Sequence, residues 1–102
     1  MALLEFSITP LGSGESVSAD VAKAVDVIDK SGLNYQLHAM GTVIEGDLDQ
    51  LLAVLKQSIE AVMSSADRVS VSAKLDVRKG HTGALDAKVA SVEQKLGRSL
   101  RK

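Results

Sequence analysis

The run Arg68-Val69-Ser70-Val71-Ser72-Ala73-Lys74-Leu75-Asp76-Val77 alternates polar and apolar side chains without a break. A period of two over that length describes a half-buried β-strand, because on a helix it would scatter the apolar groups around the axis. Such a strand needs a ladder partner along its edge and a layer over its apolar side.

The rest of the chain supplies both, in a definite order. Leu4-Glu5-Phe6-Ser7-Ile8 also alternates and is expected to stop at Pro10. Ser18 stands at an N-cap position with Asp20 in the first turn, and Val21, Ala24, Val25 and Ile28 then share one helical face as far as Gly32. Leu33 to His38 alternates again, Met40-Gly41 marks a turn, and Thr42 to Gly46 reads as a third strand. Asp47 and Gln50 have capping-box spacing, ahead of a stripe of Leu48, Leu51, Leu52, Leu55, Ile59, Val62 and Met63. After the ten-residue strand, Leu85, Val89, Val92 and Leu96 mark a last helix closed by Gly97. Residues 1–97 then form one domain, and 98–102 a frayed basic tail.

The order is β-α-β-β-α-β with an extra C-terminal helix. Right-handed crossovers and a hairpin between strands two and three lead to one compact arrangement. It is a four-stranded antiparallel sheet in spatial order 4-1-3-2 with both longer helices on one face, a ferredoxin-like α+β sandwich. Leu4, Phe6 and Ile8, Leu33, Tyr35 and Leu37, and Val69, Val71, Ala73 and Leu75 are expected to face the helices. The other face then carries Glu5, Ser7, Asn34, Gln36, His38, Ser70, Ser72 and Lys74, joined by Glu45 when Ile44 turns inward. Antiparallel sheets often leave such a face to water. Its short hydrogen-bonding side chains equally suit self-association or a ligand, and the last helix is a candidate to cover part of it. The topology also gathers the 12–18 loop, Met40, Gly41, Thr42 and Arg68 at one end, where a helix N-terminus could hold an anion or a polar ring. Simple capping is the plainer role for Ser18 and for Arg68.

Composition removes several classes of function. There is no cysteine, hence no disulfide framework and no thiolate chemistry, and His38 and His81 have no metal-ligand spacing. A net charge of −1 leaves no electrostatic footprint for nucleic acid or an anionic membrane. No apolar stretch approaches the ~18 residues of a membrane span, and the start lacks the pattern of a signal peptide, so a cytoplasmic domain is expected. The aromatic inventory is Phe6 and Tyr35, too few for base stacking by a sheet of this shape. The first loop lacks the arginine of an acylphosphatase, and no serine, histidine and acid form a recognisable catalytic set.

Specific strings go further. Glu5-Phe6-Ser7-Ile8-Thr9-Pro10-Leu11-Gly12, Ser31-Gly32-Leu33-Asn34-Tyr35-Gln36-Leu37, Met40-Gly41-Thr42-Val43-Ile44-Glu45-Gly46 and Lys88 to Leu96 resemble, in order and spacing, the thiamine-binding family long catalogued as uncharacterised. The resemblance covers nearly the whole chain. It implies a ferredoxin-like subunit of a homo-oligomer, usually a tetramer, that binds thiamine or its hydroxymethylpyrimidine moiety without catalysing a reaction. No other cofactor and no metal is expected. Motif match and side-chain chemistry together nominate Ser16, Ser18, Asn34, Tyr35, Thr42 and Glu45 as ligand-binding residues, with Glu45 reading the aminopyrimidine. A regulatory or assembly module that senses another small metabolite is the second expectation, and an enzyme the third.

Overall fold

The structure, a computed structural model, describes residues 1–12, 17–80 and 84–101. Strand β1 (Ala2–Leu11) is followed by α1 (Val17–Lys30), β2 (Asn34–His38), β3 (Gly41–Gly46), α2 (Leu48–Met63), β4 (Arg68–Val77) and α3 (Ala84–Leu96). The four strands form one antiparallel sheet in the order β2-β3-β1-β4, the expected sandwich read from its other edge. Among the described residues no helix is long and apolar enough to cross a membrane.

Alternation sets the two faces. Leu4, Phe6 and Ile8 on β1, with Ile44 beside Leu4, turn toward α1 and α2 and are buried. They pack with Ala24 and Ile28 of α1 and with Leu51, Val54 and Val62 of α2 in one core. Asp47 opens α2 from an extended backbone, and its N–H donates to Gln50 Oε1 at 3.0 Å in the expected capping box. The ends of α1 and α2 are tied where Ser65 Oγ donates to buried Asp20 Oδ1 at 2.6 Å and Lys23 Nζ donates to Ser65 Oγ at 2.6 Å.

Four details differ from the sequence expectation. Strand β1 runs through Pro10, which stands opposite Val69. The β3 ladder ends at Phe6, so β1 has a neighbour on one side only at Pro10, where a missing N–H is tolerated. Ser18 lies inside the first turn of α1 rather than ahead of it, and the cap position, 16, falls outside the described residues. Leu48, Leu52 and Met63 stay exposed while Val54 and Ser58 fill the core, because α2 rolls its buried stripe toward positions 51, 54, 58 and 62. Val71, Leu75 and Val77 sit on the helix side of β4 yet are exposed, since α2 reaches this edge strand only in part, with Val69 packed against the core.

The last helix crosses to the opposite face. It packs on β3 and β1, and Gln36 Nε2 of β2 donates to Asp86 Oδ1 in its first turn at 3.3 Å. Gly97, at φ 72°, stops it in the left-handed conformation, with the Gly97 and Arg98 N–H groups both donating to Glu93 O. In the tail expected to fray, the Leu100 N–H donates to Glu93 Oε2 at 2.5 Å and Leu100 is half-buried.

Candidate functional site

Glu45 is the residue on which a site can be built. Parity within β3 turns Ile44 into the helical core and Glu45 onto the other face, in a row that runs Asn34, Glu45, Leu3, Asp76 across the four strands. Left open, that face would hydrate a carboxylate. Instead α3 lies over it, and Glu45 is 8% exposed. Its Oε2 is buried with no hydrogen-bond partner among the described residues.

A cavity of about 440 Å³ borders this group, lined by Leu3, Glu45, Asp76, Arg78, Ala87 and Lys88, with Met1 and Ala2 at the side. Strand β1 gives the apolar floor, α3 the roof, and the end of β4 two opposite charges. The Arg78 N–H donates to Met1 O at 3.3 Å and holds the end of β4 beside the start of β1. The chemistry on offer is an apolar slot with one unengaged acceptor inside and both signs of charge at its margin. Pockets that take a small molecule commonly have this composition and span ~300–1,000 Å³. An acceptor atom buried without a partner costs free energy, and a donor group entering the cavity would relieve that cost.

The other nominated residues fall in separate places. Asn34 is exposed and stands opposite Glu45 in the β2–β3 ladder, so these two share a face and a row. Tyr35 and Thr42 point to the helical side, as alternation requires. The Tyr35 hydroxyl donates to Asp29 Oδ1 at 2.9 Å, and that bond first, then desolvation, raises its pKa above the ordinary phenol value. Ser18 is exposed and borders a shallow depression with Asp29 and Tyr35. Thr42 is buried and lines a second cavity of about 350 Å³ between α1 and the β2–β3 hairpin. Ser16 lies outside the described residues. Arg68 stands opposite Leu11 on the open side. Sequence reasoning did not nominate Leu3, Asp76, Arg78 or Lys88. Leu3 and Asp76 could have been found as the residues that continue the Glu45 face along β1 and β4. Lys88 depends on where α3 lands, which no local pattern states.

A family model described as thiamine-binding protein matches residues 4–93. A UPF0045 protein of Mycobacterium bovis is 48% identical over 95 residues, covering 92% of this chain and 93% of its own length. The crystal structure of a hypothetical protein from Methanocaldococcus jannaschii superposes with a TM-score of 0.81 at 41% identity, over 91% of this chain and 96% of that one. A Thermotoga maritima protein whose name links it to thiamine biosynthesis or salvage superposes with a TM-score of 0.79 over 89% of this chain and 97% of that one. At 16% identity that likeness shows the fold alone.

Proposed function

The chain belongs to the thiamine-binding protein family, and from that premise we propose that it binds thiamine or its hydroxymethylpyrimidine moiety in the Glu45 cavity without catalysing a reaction. It acts as a homo-oligomer, a tetramer by the resemblance, and works in the cytoplasm.

The observation that carries the reading is the buried, unpartnered Oε2 of Glu45 beside a cavity of ligand size. Thiamine presents a donor amine on its pyrimidine and a fixed positive charge on its thiazolium. A carboxylate inside an apolar slot accepts from the first and is attracted by the second, while Leu3 and Ala87 lie against the flat rings. Asn34, opposite Glu45 on β2, is outside the cavity's described lining, and its proposed part is a second polar contact from the edge of the same row. Ser18, Tyr35 and Thr42 lie outside this cavity's described lining, and any contact they make with a ligand is made elsewhere.

A hydrogen bond to a charged group contributes roughly 1.5–3 kcal/mol, so Glu45→Gln should weaken thiamine binding by about 10- to 150-fold. Calorimetric titration of both forms with thiamine, its phosphates and hydroxymethylpyrimidine tests this. Equal affinity in the two forms would remove Glu45 as the anchor, and no heat with any of these compounds would remove thiamine as the ligand.

A further inference from the structure

The charges around the Glu45 cavity stand in a definite order. Glu45 and Asp76 flank Leu3 in one row of the sheet, and Arg78 follows two residues after Asp76, just past the end of β4. With ~4.8 Å between strands and ~3.3 Å of rise per residue, the Glu45 and Arg78 backbones are roughly 12 Å apart, with Asp76 at the corner of that path. Lys88 borders the same cavity from α3. Arg78 and Lys88 are exposed, and among the described residues neither forms an ion pair, since the two salt bridges, Lys23–Asp20 and Lys30–Asp26, both lie on α1. Asp76 is unpaired as well, so opposite charges share this cavity without meeting.

We propose that the Glu45 cavity takes a phosphorylated form of its ligand, a phosphate monoester held between Arg78 and Lys88, which rests on the thiamine reading of that cavity. Along the thiamine molecule come a donor amine, a fixed cation and an arm that ends in a hydroxyl or a phosphate. Along the cavity come an orphaned acceptor, a second carboxylate and two free cations. The two orders complement each other, Glu45 to the amine, Asp76 to the thiazolium, Arg78 and Lys88 to the phosphate. Without the phosphate, both cations face a neutral hydroxyl. A phosphate monoester carries about −1.5 to −2 charges near neutral pH, enough for two cations from different elements. The arginine fork takes two of its oxygens and the lysine acts as a point charge, whereas a carboxylate would be served by Arg78 alone.

The cavities elsewhere offer less to such a ligand. The one between α1 and the β2–β3 hairpin has no lysine or arginine in its described lining. Another, beside His38, has Arg101, but it also has Asp86 and Glu93, which already accept from Gln36 Nε2 and the Leu100 N–H. The Glu45 cavity joins a buried acceptor without a partner to two cations without partners.

Calorimetric titration with thiamine and with thiamine monophosphate tests this through the ratio of the two affinities. At low ionic strength the wild-type chain should bind the monophosphate about tenfold or more tightly than thiamine, and the gain should shrink as salt is added. Arg78→Gln and Lys88→Gln should each bring the ratio toward one. The Arg78 backbone N–H still donates to Met1 O in the first variant, so the end of β4 keeps its anchor. Lys79→Gln removes the same charge from an exposed neighbour outside the cavity lining and should keep the ratio. Glu45→Gln should weaken both compounds and also keep it. Thiamine binding with a ratio of one or less would overturn the proposal and leave the thiamine reading standing, whereas no binding of either compound would overturn both. A ratio that survives in both Arg78→Gln and Lys88→Gln, or that falls as far in Lys79→Gln, would also overturn the proposal.

Discussion

Two polar atoms are buried without a hydrogen-bond partner among the described residues, and they lie on opposite sides of the sheet: Ser58 Oγ under α2 and Glu45 Oε2 under α3. Alike in geometry, they differ in chemistry. Ser58 is 0% exposed within a helix whose neighbouring stripe is Leu51, Val54 and Val62, and a lost hydroxyl hydrogen bond there costs about 1–3 kcal/mol. A fold can carry that. A carboxylate carries more, and Glu45 adjoins a cavity large enough for a small molecule. What distinguishes a site from a packing defect is the charge of the orphaned group together with the space beside it.

The sharpest contrast between the faces is in their packing. Leu4, fully buried against α1 and α2, and Leu3, half-buried under α3, are neighbours on β1. Leu4→Ala should cost about 2–5 kcal/mol in urea unfolding, the range for an apolar core truncation. Leu3→Ala should cost clearly less and should weaken ligand binding instead. Equal losses would mean that α3 forms a second core rather than the roof of a site.

Next in size is the orphaned carboxylate without ligand. Glu45→Leu should raise ligand-free stability by about 1–3 kcal/mol, because it replaces an unpartnered polar group by an apolar one of similar size. It should also abolish thiamine binding. A variant less stable than wild type would mean that Glu45 is satisfied within the fold, and the contrast with Ser58 would disappear.

Ser58→Ala should be stabilising by about 1 kcal/mol, since it removes the orphaned hydroxyl and improves helix propensity. Ligand affinity should not change, because α2 lies on the far side of the sheet. A change in affinity would show that the two faces communicate.

The smallest effect concerns the helix side alone. The chain has one tyrosine and no tryptophan, so ultraviolet titration reads Tyr35 directly. Its hydrogen bond to Asp29 raises the pKa, so the phenolate should appear above the ordinary value of 10.0, and Asp29→Asn should lower the midpoint. A raised folded-state pKa stabilises the fold below the unfolded value, and that contribution disappears as pH rises through the folded value. Saturating thiamine should leave the midpoint where it is, since Tyr35 faces away from Glu45. A ligand-dependent shift would bring Tyr35 back into the site.

Strand alternation makes most of this fold legible in the sequence. The run from Arg68 to Val77 is β4 residue for residue, and the parity of β3 sets Glu45 on the face opposite Ile44. The same parity separates Glu45 from Tyr35 and Thr42, so the nominated residues could not converge on one ligand from a single strand pair. The location of α3 is not legible in that way. Its stripe of Val89, Val92 and Leu96 is short, and which surface it meets depends on contacts with residues distant in sequence, such as the Gln36–Asp86 hydrogen bond. Lys88 and the enclosure of Glu45 depend on that docking. Pro10 shows the reverse case, a local rule overridden because β3 ends before it.

On the proposed reading, the Glu45 carboxylate accepts a hydrogen bond from a ligand lying beneath α3. Carbon-13 NMR of the side-chain carboxylates during a thiamine titration tests it most directly. The Glu45 carboxyl carbon should move furthest and that of Asp76 less, while Asp29 and Asp20 on the helix side stay fixed. A titration that saturates while Glu45 stays put and a helix-side carboxylate moves would contradict it.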